Sequence, residues 1–252
     1  MTDTVTAAVL LIGNELLSGR TQDANLNFLA RRLAQMGIRL REARVVADEE
    51  GAIVAALNAL RAAHDYVFTT GGIGPTHDDI TADSVGAAFG LEVHHDPRAV
   101  ALLEESYRAR GMELNEARLR MARMPVGAEP VGNPISAAPG FRIGNVFVLA
   151  GVPSIMQAMF ETLAPTLRTG ARVLSRTISV HLPEGTLAAG FRDLQERHPA
   201  IEMGSYPFFR DGRYGADLVL RGTDAAELAA AVAALTGLLQ GLGGDPTEVV
   251  AL

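Results

Sequence analysis

The sequence predicts a three-layer α/β/α domain with a mostly parallel sheet, followed by a small α+β domain. Three observations carry this. Short apolar runs alternate with amphipathic helical stretches from Thr6 to Gly90. A glycine-rich loop follows the third apolar run, where open α/β sheets take their ligands. Beyond about residue 168 the alternation gives way to a β-α-β-β-α order.

Thr6 to Gly13 (TAAVLLIG) is apolar throughout and reads as a buried strand. From Asn25 to Met36, residues Leu26, Leu29, Leu33 and Met36 fall on one helical face, and Gly37 ends the helix. Ile38 to Val46 is a second strand. Glu49 to Ala63 is a second helix, with Ile53, Leu57 and Leu60 inward. Tyr66 to Thr70 is the third strand, and TADSVGAAFG, from Thr81, is a third helix closed by Gly90. Pro97 to Arg110 is helical with proline in its first turn, and Asn115 to Ala122 is a shorter helix. PVGAEPVGNPISAAPGF, at 125–141, is expected to be loop because of its proline and glycine content. FRIGNVFVLAG holds two short runs around Gly144-Asn145, a hairpin-like pattern. Pro153 to Leu167 is a helix. The polar stretch from Leu167 to Arg172 marks the expected boundary between domains 1–168 and 169–252. The second domain reads as RTISVHL, a helix from Glu184 to His198, strands in IEMGSYPFF and RYGADLVLRG, and an Ala/Leu-rich helix from Asp224 to near Gly241. Tyr206 and Phe208 alternate with Pro207 and are expected on one sheet face.

The composition excludes several classes of function. There are no cysteines, so disulfides, thiolate metal sites and cysteine nucleophiles are out. The net charge of -7 argues against nucleic acid or an anionic membrane as partner. Neither a signal peptide nor a membrane helix is expected, so a cytoplasmic protein is. All 22 basic residues are arginine. A phosphate clamp in this chain must therefore use arginine, a metal or backbone N–H groups.

The loop itself, FTTGGIGPTHDDIT (Phe68 to Thr81), joins a strand end to a helix start. Glycines let a backbone approach a ligand closely, and N–H groups at such a junction attract anions. Gly71, Gly72, Ile73 and Gly74 are thus candidates to cradle a phosphate, with Thr76 and Thr81 adding hydroxyls. Asp78 and Asp79 stand at the same place. Carboxylates beside a phosphate repel it unless a divalent cation lies between them. One aspartate is expected to cap the helix, leaving the other for the cation. The loop is not a Walker A motif, which needs a lysine, nor the dinucleotide fingerprint, whose last glycine is missing.

The loop resembles the signature of the molybdopterin-binding domain family. That family includes the N-terminal half of CinA-type competence/damage-inducible proteins and a domain of FAD synthases. IGNELLSGRTQDAN, VVADEE, NEARLRMARMPVGAE, NPISAAPGF and VLAGVPSIM are similar to the family's other motifs, in order. EMGSYPFF resembles a strand of the small second domain found in the CinA and FAD-synthase branch. The chain departs from the pattern at Asn14, where Asp is usual, at Ser136-Ala137 for Gly-Thr, at Ala150 for Pro and at Ile155 for Glu. Nothing in the 252 residues resembles the amidohydrolase domain of longer CinA-type proteins, so deamidation of pyridine nucleotides is not implied.

The resemblance implies a site and two functional readings. It places Asp79, Asp48 and Asp78 on a divalent metal (Mg²⁺, with Mn²⁺ or Co²⁺ as substitutes), admits K⁺ as a further cation, and gives Asp79, Asp48 and Glu15 catalytic roles. Glu15 would orient a water or bind a ribose or pterin group. Arg120, Asn133 and Ser136 would approach the phosphorylated ligand, and Asn25 would contact it or cap the first helix. One reading is a metal-dependent pyrophosphatase of ADP-ribose- or FAD-like dinucleotides. The alternative is a non-catalytic molybdopterin- or nucleotide-binding protein. By analogy with relatives, a homo-oligomer is expected, with a dimer favoured.

Overall fold

The first strand organises the sheet. In β1 (Val5–Ile12) every residue except Thr6 is buried, as a near-continuous apolar run dictates for a strand covered on both faces. Ala8, Leu10 and Ile12 enter one core and Ala7, Val9 and Leu11 the other. The computed structural model describes residues 4–210 and 212–249. The chain divides into two units, Met1–Gly170 and Ala171–Leu252.

In the first unit, β1 is followed by α1 (Asn14–Leu17), α2 (Asn25–Gln35), β2 (Ile38–Val46), α3 (Glu50–Ala63), β3 (Tyr66–Thr70) and α4 (Thr81–Phe89). Next come β4 (Val93–His95), α5 (Pro97–Ala109), α6 (Glu116–Leu119), β5 (Arg123–Pro125), β6 (Glu129–Val131), β7 (Gly140–Ile143), β8 (Val146–Leu149) and α7 (Pro153–Leu163). The six-stranded sheet has the order β2-β1-β3-β8-β7-β6. Its first four strands pair in parallel, and β7 and β6 pair antiparallel. Leu29 and Leu33 of α2 and Met156, Met159 and Phe160 of α7 cover one face. Ile53, Leu57 and Leu60 of α3, with Val85 of α4 and Leu103 of α5, cover the other. The result is the expected three-layer α/β/α unit. β2 alternates buried or half-buried with exposed positions, as an edge strand does.

The sequence reading fails where strands are short. The stretch 125–141 is not all loop: it contains β6 and the start of β7. Pro130 is accommodated because β6 is the last strand of its sheet, where a missing N–H disturbs no inner ladder. β4 and β5 form a separate two-stranded ladder. The four-residue α1 is also absent from the sequence reading.

The second unit contains β9 (Leu174–Val180), α8 (Glu184–Arg197), β10 (Glu202–Arg210), β11 (Arg213–Gly222), α9 (Ala225–Gly241) and β12 (Thr247–Val249). Its antiparallel sheet has the order β10-β11-β9-β12, so the β-α-β-β-α reading gains a final strand. Leu187, Leu194, Leu228 and Leu235 of the helices pack on Ile178, Val180, Leu218 and Leu220 of the strands. Phe208 meets the His181 ring edge-on at 5.3 Å and lies under the Arg210 guanidinium at 4.0 Å. No helix among the described residues is long and apolar enough to cross a membrane.

Two contacts yield predictions. Phe68 is fully buried, stacked on Phe147 at 5.3 Å and edge-on to Phe160 at 5.5 Å. Phe68→Ala is expected to cost about 3–5 kcal/mol, read as a lower urea midpoint. Asp96 caps α5 through the Arg98 N–H and accepts from the Arg98 guanidinium. Those bonds to Arg98 lower its carboxyl from 3.8 to about 2. A depressed carboxylate stabilises the fold above its unfolded pKa and stops doing so as pH falls through the folded value. Asp96→Asn retains a capping side chain but removes the charge. It should be less stable than the parent at neutral pH, with the gap closing between pH about 4 and about 2, followed by urea unfolding across that range.

Candidate functional site

The C-terminal ends of the four parallel strands converge at one edge of the first unit. α2, after β1, and α3, after β2, cover opposite faces of the sheet. The chain therefore reverses its winding between β1 and β3, which opens a crevice there. The crevice is a cavity of about 420 Å³, within the usual range for a small-molecule site. Glu15 follows β1, Asp48 follows β2, Gly71 to Asp79 follow β3, and Ala150 to Val152 follow β8.

The glycine loop is held by its own packing. Gly71 has φ +102°, and a Cβ there would collide with the Ile12 carbonyl oxygen. Gly72 has φ +66°, and a Cβ would strike the Thr81 hydroxyl. A Cβ on Gly74 would lie 2.6 Å from Asp79 Oδ2. The Gly71 N–H donates to the Leu149 carbonyl at 3.3 Å, so it is not a phosphate donor. The N–H groups of Gly72, Ile73 and Gly74 make no hydrogen bond among the described residues.

Several of the expected site residues brace the loops, and two of them, Thr76 and Thr81, do not line the cavity. Thr81 is fully buried, and its hydroxyl donates to the Gly71 carbonyl at 2.9 Å, which removes it as a ligand hydroxyl. Thr76 donates its N–H and its hydroxyl to Asp79 Oδ2 at 2.8 and 2.5 Å. Neither Asp78 nor Asp79 caps α4. That helix starts at Thr81 with Ile80 as its cap residue and no side-chain cap, so the Asp79 carboxylate folds back on Thr76. Asp48 Oδ2 accepts from the Asn14 N–H at 2.8 Å, tying the β2 loop to the β1 loop. The Asn14 side chain itself does not line the cavity. Asn133 donates to Ser136 Oγ and the Ala138 carbonyl and accepts from the Ile135 and Ser136 N–H groups. Its amide therefore holds the 133–138 turn in shape and places Ser136 at the rim.

Glu15, Asp48, Asp78, Asp79, Gly71 to Gly74, Asn133 and Ser136 thus share one cavity. Arg120 lies behind the glycine loop, donating to the Asp79 carbonyl at 3.4 Å, with its buried Nε unpaired. Asn25 lies in an adjoining cavity. The three aspartates expected on a metal do not form a ready-made cage: among the described residues, no three His, Asp or Glu side chains are grouped to hold an ion. The sequence reading missed the apolar wall of Ile12, Pro75, Met121, Val152 and Ile155. Ile155 was visible as a departure from a family motif, the one signal available. Met124 is core, whereas Met121, three residues before it, lines the cavity.

Comparison with known proteins follows the same division of the chain. The model described as "Probable molybdopterin binding domain" matches residues 8–169. The chain belongs to the molybdopterin-binding domain family. The model described as "FAD synthase, middle domain" matches residues 172–243. A protein of Pyrobaculum calidifontis is 37% identical over 211 residues, 80% of each chain. A CinA-like protein of Myxococcus xanthus is 32% identical over 209 residues, 78% of this chain and 50% of that one. The chain thus spans about half the length of that CinA-like relative. The crystal structure of CinA from Thermoplasma acidophilum superposes with a TM-score of 0.60 at 32% identity, over 65% of this chain and 99% of that one.

In this member of the family, Ala137 is the sole non-glycine residue with positive φ (63°) among the described residues. A Cβ in that region costs about 1–2 kcal/mol. Ala137→Gly is expected to raise stability by about 1 kcal/mol, measured as a shift in the urea midpoint.

Proposed function

We propose that the crevice is the site of a divalent-metal-dependent pyrophosphatase acting on ADP-ribose- or FAD-like dinucleotides. The supporting observation is the pairing, in one cavity, of four carboxylates with unpaired loop N–H groups and an apolar wall. N–H groups suit phosphate oxygens, and an apolar wall suits a planar ring. Carboxylates beside phosphate require a cation.

The donor set fits Mg²⁺ or Mn²⁺, because it consists of hard oxygens. Mg²⁺ commonly takes one or two protein carboxylates and completes its shell with water and substrate phosphate. The lack of a three-carboxylate cage is consistent with that mode. Asp79 and Asp48 would hold the ion, with Asp78 beside them; when bound, it neutralises phosphate charge and acidifies a water. Glu15 accepts a proton or hydrogen bond from the attacking water. Gly72, Ile73 and Gly74 fix the phosphate from the other side. Arg120, behind the loop, adds positive potential at the same place.

A second reading, binding without turnover, is favoured by one observation: one oxygen each of Asp79 and Asp48 is engaged in loop hydrogen bonds. The test is to incubate the protein with ADP-ribose and with FAD, with Mg²⁺, Mn²⁺ or Co²⁺, beside Asp79→Asn. Asparagine keeps an acceptor for Thr76 but removes the charge. Metal-dependent AMP release, falling about 100-fold or more in the variant, is expected. No release with either compound moves the assignment to the binding protein.

A further inference from the structure

Behind the glycine loop is a void of about 10 Å³, room for a single water and nothing larger. Four charged side chains line it: Asp79, Asp83, Arg120 and Arg123. Asp83 stands in the first turn of α4, two residues past Thr81. Thr81 in turn holds the loop, donating its hydroxyl to the Gly71 carbonyl and its N–H to the Gly72 carbonyl. Arg120 opens the 3₁₀ turn Arg120–Ala122, and Arg123 follows it as the first residue of β5. Neither Asp83 nor Arg123 lines the main cavity.

The two arginines are paired unequally. Arg123 holds Asp83 with both arms of its guanidinium, Nη1 to Oδ2 at 2.8 Å and Nη2 to Oδ1 at 2.6 Å. A fork-to-fork pair of this kind occupies both carboxylate oxygens. The side chains of Arg123 and Asp83 are only 25% and 33% exposed, so solvent screens them in part. Arg120 has no carboxylate partner among the described residues. Its Nη2 donates to the Asp79 carbonyl at 3.4 Å, and its buried Nε has no acceptor. The Asp79 carboxylate, the other acid at the void, is drawn to Thr76 through Oδ2. No arginine or histidine lines the main cavity, so positive side-chain charge reaches the loop from behind. An Asp83 without Arg123 would stand beside Arg120 and cancel its charge. We propose that Arg123 is a positioning residue: by occupying Asp83 it leaves the charge of Arg120 to act through the glycine loop on a bound phosphate. This rests on the phosphate reading of the main cavity.

Calorimetric titration with ADP in Mg²⁺ tests it on the parent, Arg123→Met, Arg123→Met with Asp83→Asn, and Arg120→Met with and without Arg123→Met. Methionine retains apolar stem contacts of the arginine. The expected result is that Arg123→Met binds ADP about 10-fold weaker, and that adding Asp83→Asn restores binding to within about 2-fold of the parent. In the Arg120→Met background, Arg123→Met should cost nothing further. A pair that only braces the fold gives the opposite pattern: the double variant binds no better than Arg123→Met, and its urea midpoint falls further. That pattern overturns the proposal while ADP binding by the parent keeps the phosphate site. A further loss in the Arg120→Met background also overturns it, because the effect then bypasses Arg120. If Arg123→Met does not fold, Asp83→Asn alone decides: it should bind ADP at least as tightly as the parent, and weaker binding overturns the proposal. No binding of ADP to the parent protein removes the phosphate reading and the positioning role with it.

Discussion

The packing of Gly71 against the end of β1 is the constraint on which the site depends. Its backbone meets the Ile12 carbonyl so closely that no side chain fits. From that position its N–H reaches Leu149 at the end of β8, and its carbonyl takes the Thr81 hydroxyl at the start of α4. Three strand ends and one helix start are thereby locked around one residue. The free N–H groups of Gly72 to Gly74 follow from this, because the chain is turned outward just beyond the lock.

The electrostatics follow from the same geometry. Four carboxylates face the cavity in a chain with net charge -7 and no lysine. Two of them also brace loops: Asp48 holds the Asn14 backbone, and Asp79 holds Thr76. Each therefore has one oxygen directed by the fold and one left for chemistry. A carboxylate fixed in this way is positioned before any ligand arrives, which lowers the entropy lost on binding. Under the proposed function, such carboxylates suit a cation that completes its shell with ligand phosphate and water.

Asn14 shows how far a motif comparison reaches. It lacks the charge that the family pattern has at this position. Its side chain lies outside the cavity wall, and its backbone N–H is what Asp48 uses. Any residue except proline supplies that N–H. The change at Ile155 has the opposite standing, because it lies in the wall itself.

The sequence by itself determined the three layers, the order of the major strands and helices, and the position of the glycine loop. Long apolar periodicity and paired glycines are local signals strong enough to survive without contacts. The family resemblance grouped Glu15, Asp48, Asp78 and Asp79, and the structure brings them to one cavity because each follows a strand parallel to the others. Tertiary structure decided the rest. Strands of three residues such as β4, β5 and β6 are too short to show a period, and only pairing with β7 makes a strand of Glu129–Val131. Thr81 is a support outside the cavity wall, and Asn133 braces its turn while lining the cavity, because their partners, Gly71 and Ala138, come within reach only through the fold of each loop. The unpaired Oδ1 of Asn25 could not be seen at all, since it exists only because Gly151, 126 residues away in sequence, occupies the other end of the same amide.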